Sequence, residues 1–224
     1  MLKTKAQRRP RRAAVVTLSV QLQFIAARNF TKLDKPRQID LIVIHSMEAP
    51  EASTTAFNVA TWFAGKDAPK ASAHFCVDNE NIVQCVADND VAWHAPGANN
   101  NGIGIEHAGF ARQTIDEWND DFSRSMLELS AQLSADLCVK YGIPPLSLDT
   151  AALKAGKRGI TTHKAVTDAF SGGRGHWDPG PGFPMANYCL RVAELMVSDM
   201  PSEFDPYTLS TYGIVEAALR GRDE

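Results

Sequence analysis

The sequence lacks the features that mark several common classes of protein. It contains no run of the roughly 18 apolar residues that a membrane-spanning helix needs, no internal repeat and no low-complexity segment. Its four cysteines show no CxxC spacing, so we expect buried, reduced thiols, as in a protein made in a reducing cytosol. A content of 44% hydrophobic and 22% charged residues excludes wholesale disorder and a disulfide scaffold, and 224 residues suit one substantial core.

Several catalytic signatures are absent as well. There is no HExxH, which excludes a zinc site carried on one helix, as in many metalloproteases. Neither GxSxG nor GxxxxGKS/T occurs, which argues against a serine hydrolase and a P-loop protein. The segment HSMEAP lacks the HxE pattern of the zinc deaminases, and no PCxxC accompanies it.

The formal net charge of −3 hides an asymmetry between the two parts of the chain. Residues 1–12 carry six basic residues and no acidic one, which leaves 17 basic and 26 acidic residues, or −9, in the remainder. A basic arm on an acidic body suggests attraction to an anionic surface, either nucleic acid or a cell envelope. The alternative is a solvated tail that has no dedicated partner.

Apolar and polar residues alternate over residues 16–24, which is the period of an amphipathic strand. Because this stretch follows the basic arm, it also resembles a secretion signal with a cut site at Ala26 and Ala27. The core of a signal is apolar on all sides, so the alternation favours a strand over a cleaved signal. Further strands are predicted over residues 39–45, 73–77, 82–86, 91–94 and 103–107.

The segments 73–77 and 82–86 are predicted to pair as a hairpin around DNEN, with Cys76 opposite Val83 and Cys85 opposite His74. Periodicity predicts helices over 51–64, 120–141, 186–197 and 206–220. This mixed order indicates one α/β domain with a central mixed β-sheet flanked by helices. We expect a basic N-terminal arm over 1–19, the domain over 20–199 and a partly helical C-terminal extension over 200–224.

Two histidines and one aspartate stand where the chain should hold them rigidly. His45 ends the buried strand LIVIH, His163 ends GITTH, and Asp178 lies in HWDPGPGFP, where proline and glycine residues constrain the backbone. Each alone is more often an ordinary polar residue than a ligand. Together they suit zinc with an open fourth position, which would activate water and polarise a carbonyl.

Six segments taken in order resemble the zinc-dependent N-acetylmuramoyl-L-alanine amidases of the type 2 amidase and peptidoglycan recognition protein superfamily. They are LIVIHSME, SAHFCVD, AWHAPG, NNNGIGIEHAG, GITTHKAV and HWDPGPGFP. The resemblance covers about residues 39–186 and is greatest to the amidase domains of phage endolysins. It implies hydrolysis of the amide between N-acetylmuramic acid and the L-alanine of the peptide stem. It also implies a protein made in the host cytoplasm that acts on the bacterial cell wall.

By position, the resemblance makes His45, His163 and Asp178 the ligands of Zn²⁺ and makes Glu106 the general base. Many relatives carry a lysine two residues before the last ligand, and this chain has His176 there. Some relatives carry a tyrosine before the hairpin histidine, and this chain has Ala73. The missing tyrosine shifts the base role onto Glu106, while His176 can hydrogen-bond a developing oxyanion.

The remaining candidates are substrate contacts, for which packing or loop structure is the competing interpretation. His74 and His94 match positions of the family that line the cleft, Trp93 offers an aromatic surface for stacking on substrate, and Asn99 belongs to a run of three asparagines. His107 should point away from Glu106, because neighbouring side chains alternate on a strand.

The expected partner is peptidoglycan or its muropeptides, bound by a monomer, with no specific nucleic acid. One alternative is a recognition module that binds muropeptide without cleaving it, although all three ligand positions are filled. A nucleic-acid-binding protein led by the basic arm has no motif in its favour.

Overall fold

Strand β3 (Leu41–Ser46) lies within a six-stranded sheet and is buried along its whole length. The structure, a computed structural model, describes residues 22–198. The other strands are β1 (Gln23–Phe24), β2 (Phe30–Thr31), β4 (Phe75–Val77), β5 (Ile82–Gln84), β6 (Val91–Ala92), β7 (Gly102–His107) and β8 (Gly159–Thr162). The sheet has the order β1-β5-β4-β7-β3-β8, and β2 and β6 form a separate two-stranded sheet.

The sheet is mixed, as predicted. Strands β4, β7, β3 and β8 run parallel to one another, whereas β5 pairs antiparallel with β4. The hairpin has the predicted register, since Cys76 pairs with Val83 and the Cys85 amide donates to the His74 carbonyl over 2.8 Å. All four cysteines are free and buried, as expected.

Helices cover both faces of this sheet. They are α1 (Thr55–Ala64), α2 (Asp121–Tyr141), α3 (Thr150–Lys154), α4 (His163–Phe170) and α5 (Met185–Ser198). Prediction and structure agree closely for α2, because Asp120 caps it by accepting from the Ser123 amide and Gly142 ends it at φ 63. Helix α1 begins four residues later than predicted, and α3 and α4 were not predicted.

Alternation along β3 assigns its side chains to two different cores. Ile42 and Ile44 belong to the apolar cluster that includes residues of α2 and α5. Leu41 and Val43 pack on the opposite face with residues of α3 and α4. His45 has the same parity as Leu41 and Val43, so its side chain leaves the sheet on the α3 and α4 side.

Several expectations lie outside the described residues. These are the basic arm, most of the strand predicted over 16–24, the extension over 200–224 and the helix over 206–220. Only the end of that strand is described, as β1, which pairs with β5. Among the helices within residues 22–198, none is long and apolar enough to cross a membrane.

Candidate metal centre and active site

Two adjacent parallel strands present the first pair of functional side chains. His45 on β3 is the direct partner of Glu106 on β7, so both side chains leave the same face of the sheet. Gly104 and Gly102 precede Glu106 on that face. Since they have no side chains, they leave space above the sheet for the ring of His94.

His163 reaches the same place from the other side of β3. Strand β8 pairs with β3 as far as Thr162 opposite Ile44, and the next residue, His163, begins α4. The Thr162 hydroxyl caps this helix by accepting from the Ala165 amide. The ring centroids of His45 and His163 are 4.6 Å apart as a result.

Asp178 completes the group from the loop between α4 and α5. Its Oδ2 lies 3.0 Å from Nδ1 of His45, and its Oδ1 lies 3.0 Å from Nδ1 of His163. The turn after Asp178 packs closely against the backbone of Ala111. A Cβ on Gly180 would lie 1.7 Å from the carbonyl oxygen of Ala111. The φ of Gly180 is +85°, so glycine is required there on both counts.

These three residues suit a zinc ion. Each offers one ligand atom, all three atoms lie within 4.8 Å of one another, and all three residues are buried. Tetrahedral zinc with bonds of about 2.0–2.1 Å holds its ligand atoms about 3.3 Å apart, close to the 3.0 Å separations seen here. Among residues 22–198, this is the one group of three such side chains close enough to hold a metal ion.

The protonation states also favour a metal ligand set. Burial raises the pKa of Asp178, but hydrogen bonds from His163 and His45 outweigh burial and hold the pKa well below its usual range. Burial lowers the pKa of His45. A charged carboxylate beside a neutral imidazole is the form in which these groups bind zinc.

Glu106 lies in the same cleft and has a carboxylate oxygen without a partner. This Oε2 is buried and makes no hydrogen bond to any described residue. Burial and the negative charge of Asp178 raise the pKa of Glu106 well above its ordinary value. A carboxylate in such a setting has a strong tendency to accept a proton, as a general base requires.

His176 lies at the mouth of this cleft. Its ring stacks on that of His163, with centroids 4.3 Å apart and an interplanar angle of 16°. Its side chain is 71% exposed, and its Nδ1 is 3.7 Å from Oδ1 of Asp178. It is therefore placed to contact a substrate, outside the buried group of three.

The four candidate substrate contacts fall into two pairs. Trp93 and His94 line the cleft, which has a volume of about 320 Å³. His74 is fully buried, where its Nδ1 accepts from the Gly104 amide over 3.0 Å. The side-chain oxygen of Asn99 accepts from the backbone amides of His94 and Ala95. Neither His74 nor Asn99 lines the cleft.

His107 points away from Glu106, as expected. Its Nδ1 lies 3.0 Å from the backbone oxygen of His45, and its Nε2 lies 2.6 Å from the hydroxyl of Ser130 on α2. Tyr188 on α5 extends this network through the same hydroxyl. His107 thus ties the backbone of His45 to the helical layer behind the sheet.

Sequence reasoning missed several residues of the cleft wall, among them Glu48, Trp62 and Lys70. Glu48 has a φ of 51° and accepts from the Ser46 hydroxyl and the Ala111 amide. Trp62 on α1 and Lys70 also line the cleft. Trp62 is 55% exposed, and its position off the apolar face of the predicted helix was the signal that could have identified it.

Comparison with known proteins identifies the family of this chain. The family model Amidase_2, described as N-acetylmuramoyl-L-alanine amidase, matches residues 35–181. The chain belongs to the type 2 N-acetylmuramoyl-L-alanine amidase family. The amidase is 30% identical over 161 residues to N-acetylmuramoyl-L-alanine amidase A of Achromobacter lyticus, covering 67% of this chain and 81% of that protein. It is 32% identical over 117 residues to a probable amidase of Bacillus licheniformis, covering 46% and 30% respectively.

Solved structures show the same fold at low identity. Staphylococcus aureus AmiA, solved in complex with its ligand, has a TM-score of 0.56 and 17% identity over 80% of this amidase and 84% of AmiA. An AmpD derivative has a TM-score of 0.54 and 18% identity over 76% and 93%. The PlyG catalytic domain has a TM-score of 0.53 and 15% identity over 81% and 99%. The predicted α/β fold is therefore confirmed, and the family match confirms the predicted amidase class.

Proposed function

We propose that this amidase is zinc-dependent and that His45, His163 and Asp178 hold the metal. The bond cleaved joins the lactyl group of N-acetylmuramic acid to the L-alanine of the peptide stem. One observation carries the proposal: three metal-binding side chains from separate segments converge beside Glu106 in a single cleft. A zinc ion in such a site lowers the pKa of water and polarises a carbonyl oxygen.

Glu106 acts as the general base in this proposal. It takes a proton from the attacking water as the water oxygen bonds to the amide carbonyl carbon. The carbon–nitrogen bond then breaks, and Glu106 returns the proton to the departing alanine nitrogen. The buried Oε2 of Glu106 supports this role, because none of the described residues donates a hydrogen bond to it and it is free to accept from the water.

His176 stabilises the carbonyl oxygen as that oxygen gains negative charge. Its exposure and its stacking on His163 place a ring N–H donor at the cleft mouth without making it part of the buried ligand group. The neighbouring wall, which includes Trp93 and Trp62, offers indole surface for the sugar and peptide of the substrate.

Digestion of purified peptidoglycan with product analysis tests this function. We expect new free amino groups on alanine without new reducing ends. When a chelator removes zinc, we expect none of these products to form. New reducing ends would make the protein a glycosidase and overturn the proposal. Tight muropeptide binding without turnover, with zinc present, would favour the recognition module instead.

In the cell, we propose that the protein acts as a monomeric phage endolysin whose basic arm is attracted to the anionic cell envelope. The charge of residues 1–12 and the resemblance of the ordered motifs support this role. Deleting residues 1–12 should weaken lysis of whole cells more than cleavage of a soluble muropeptide. An equal loss in both assays would show that the arm does not act at the cell envelope. Holin or phage structural genes beside the coding sequence would support the endolysin role.

A further inference from the structure

The imidazole ring of His45 is engaged at both nitrogens. Its Nδ1 faces Asp178 at 3.0 Å, and its Nε2 lies 3.0 Å from Nδ1 of His94. His45 and His94 are both buried, with 2% and 7% exposure, so water does not substitute readily for either contact. The ring of His45 is therefore held between the ligand group on one side and a second histidine on the other.

The chemistry of coordination assigns a direction to the second contact. A histidine that binds a metal through Nδ1 carries its proton on Nε2, and this N–H needs an acceptor when it is buried. The atom within reach is Nδ1 of His94, which can accept when the proton of His94 is on its own Nε2. Nε2 of His94 is itself buried beside the backbone of Gly102 and makes no hydrogen bond to any described residue, so no donor on that side competes for a proton on Nε2.

We propose that His94 is a positioning residue for the metal site: its Nδ1 accepts the Nε2–H of His45 and so fixes the tautomer and the ring plane of that ligand. The inference rests on the proposed zinc site. It gives His94 a role other than the substrate contact expected from the sequence, because Nδ1 of His94 already contacts Nε2 of His45.

The surroundings of His94 hold its ring in the required place. A Cβ on Gly104 would lie 2.6 Å from Cγ and 2.7 Å from Nδ1 of His94, so the ring rests directly on the bare backbone of β7. The backbone amide of His94 donates to the side-chain oxygen of Asn99 over 3.0 Å. Asn99 thus holds the backbone of His94 in place from the loop. Gly102 and Gly104 in GIGIE leave the space that the ring of His94 fills.

Zinc affinity of purified variants, measured by competition with a chromophoric chelator, tests the assignment. His94→Leu removes the acceptor and keeps an apolar side chain of moderate size, so we expect zinc to bind about 10- to 100-fold more weakly. His94→Asn places an amide oxygen near the position of Nδ1 and should recover most of that affinity. Trp62→Ala, which alters the cleft wall without touching His45, should leave the zinc affinity unchanged.

Equal affinity of wild-type protein and His94→Leu would overturn this inference while leaving the zinc amidase intact. A wild-type protein that binds no zinc would overturn the proposed function together with the inference. Nitrogen-15 NMR of the zinc-loaded wild-type protein gives a second readout that needs no variant to fold. We expect His94 to carry its proton on Nε2 and His45 to carry its proton on Nε2. A proton on Nδ1 of His94 would contradict the assignment.

Discussion

His45 and Glu106 are direct partners on adjacent parallel strands, so the first proposed ligand and the proposed base project side by side from one face of the sheet. This relationship explains why the base lies beside the ligand group although Glu106 is 61 residues from His45 in sequence. It also explains why His107, one residue later, serves the opposite face and bonds to Ser130.

Glu106→Gln should abolish most of the turnover and leave the metal in place. The amide keeps the shape of the carboxylate but cannot take a proton, so we expect kcat/KM to fall about 10²- to 10⁴-fold. Zinc content, measured by atomic absorption, should remain that of the wild type. Glu48→Gln, a change of a second carboxylate in the same cleft, should cost far less, because an amide oxygen can still accept from Ser46 and Ala111. Activity of Glu106→Gln within tenfold of the wild type would remove Glu106 from the mechanism.

His176→Ala should lower turnover about 10²- to 10³-fold without loss of zinc, because an oxyanion donor is removed while the ligand group stays complete. His176→Lys should restore part of that turnover, since the ammonium group also donates. The measurements are kcat with a soluble muropeptide and zinc content of the same preparations. Loss of zinc from His176→Ala would make His176 a ligand instead.

Gly180→Ala should destabilise the protein far more than an alanine at another left-handed glycine. Its Cβ would lie 1.7 Å from the Ala111 carbonyl oxygen, a backbone atom that cannot move cheaply, so we expect a loss of about 4 kcal/mol or more. Gly156→Ala is the matched control, because its φ is +69° and a Cβ there would meet nothing within 4 Å. We expect about 1–2 kcal/mol for the control. Urea unfolding of both variants measures the difference, and equal losses would contradict the packing of this turn.

His74 should make stability fall on acidification. Burial, with a further contribution from the charge of Arg37, lowers its pKa to about 3, whereas the unfolded chain takes up the proton near pH 6.5. The unfolded state therefore binds more protons below pH 6.5, and the free energy of unfolding declines by up to about 1.4 kcal/mol per pH unit from this residue.

His74→Asn keeps an acceptor for the Gly104 amide but cannot take up that proton. Urea unfolding of the metal-free proteins at pH 7 and pH 5 measures the effect. The decline between these two pH values should be smaller in the variant by about 2 kcal/mol. An unchanged decline would show that His74 is not held neutral in the fold.

The sequence was sufficient for most strands of the mixed sheet, the hairpin register and α2, because these depend on local patterns. Strands β2 and β8 were not predicted. Alternation and turn residues place Cys76 opposite Val83, and Asp120 and Gly142 mark the two ends of α2. Helix α4 was missed because its eight residues follow β8 without an intervening turn, so that His163 belongs to the strand motif and to the helix at once.

The surroundings of each candidate site residue could not be derived from the spacing of residues in the sequence. His74 and His94 occur in similar short motifs and both are buried, yet only His94 lines the cleft. The role of Gly104 was also not evident, since it depends on the ring of a residue ten positions earlier. Trp62 reaches the cleft only through the packing of α1 against β4 and β5.

Titration of the metal-free protein with zinc tests the central claim most directly. Cleavage of a soluble muropeptide at the muramoyl–L-alanine bond should be absent without metal and should rise linearly to a break at one zinc per chain. Asp178→Ala, which removes one ligand, should show no such break. Full cleavage by the metal-free wild-type protein, or a break that survives in Asp178→Ala, would contradict a zinc amidase built on His45, His163 and Asp178.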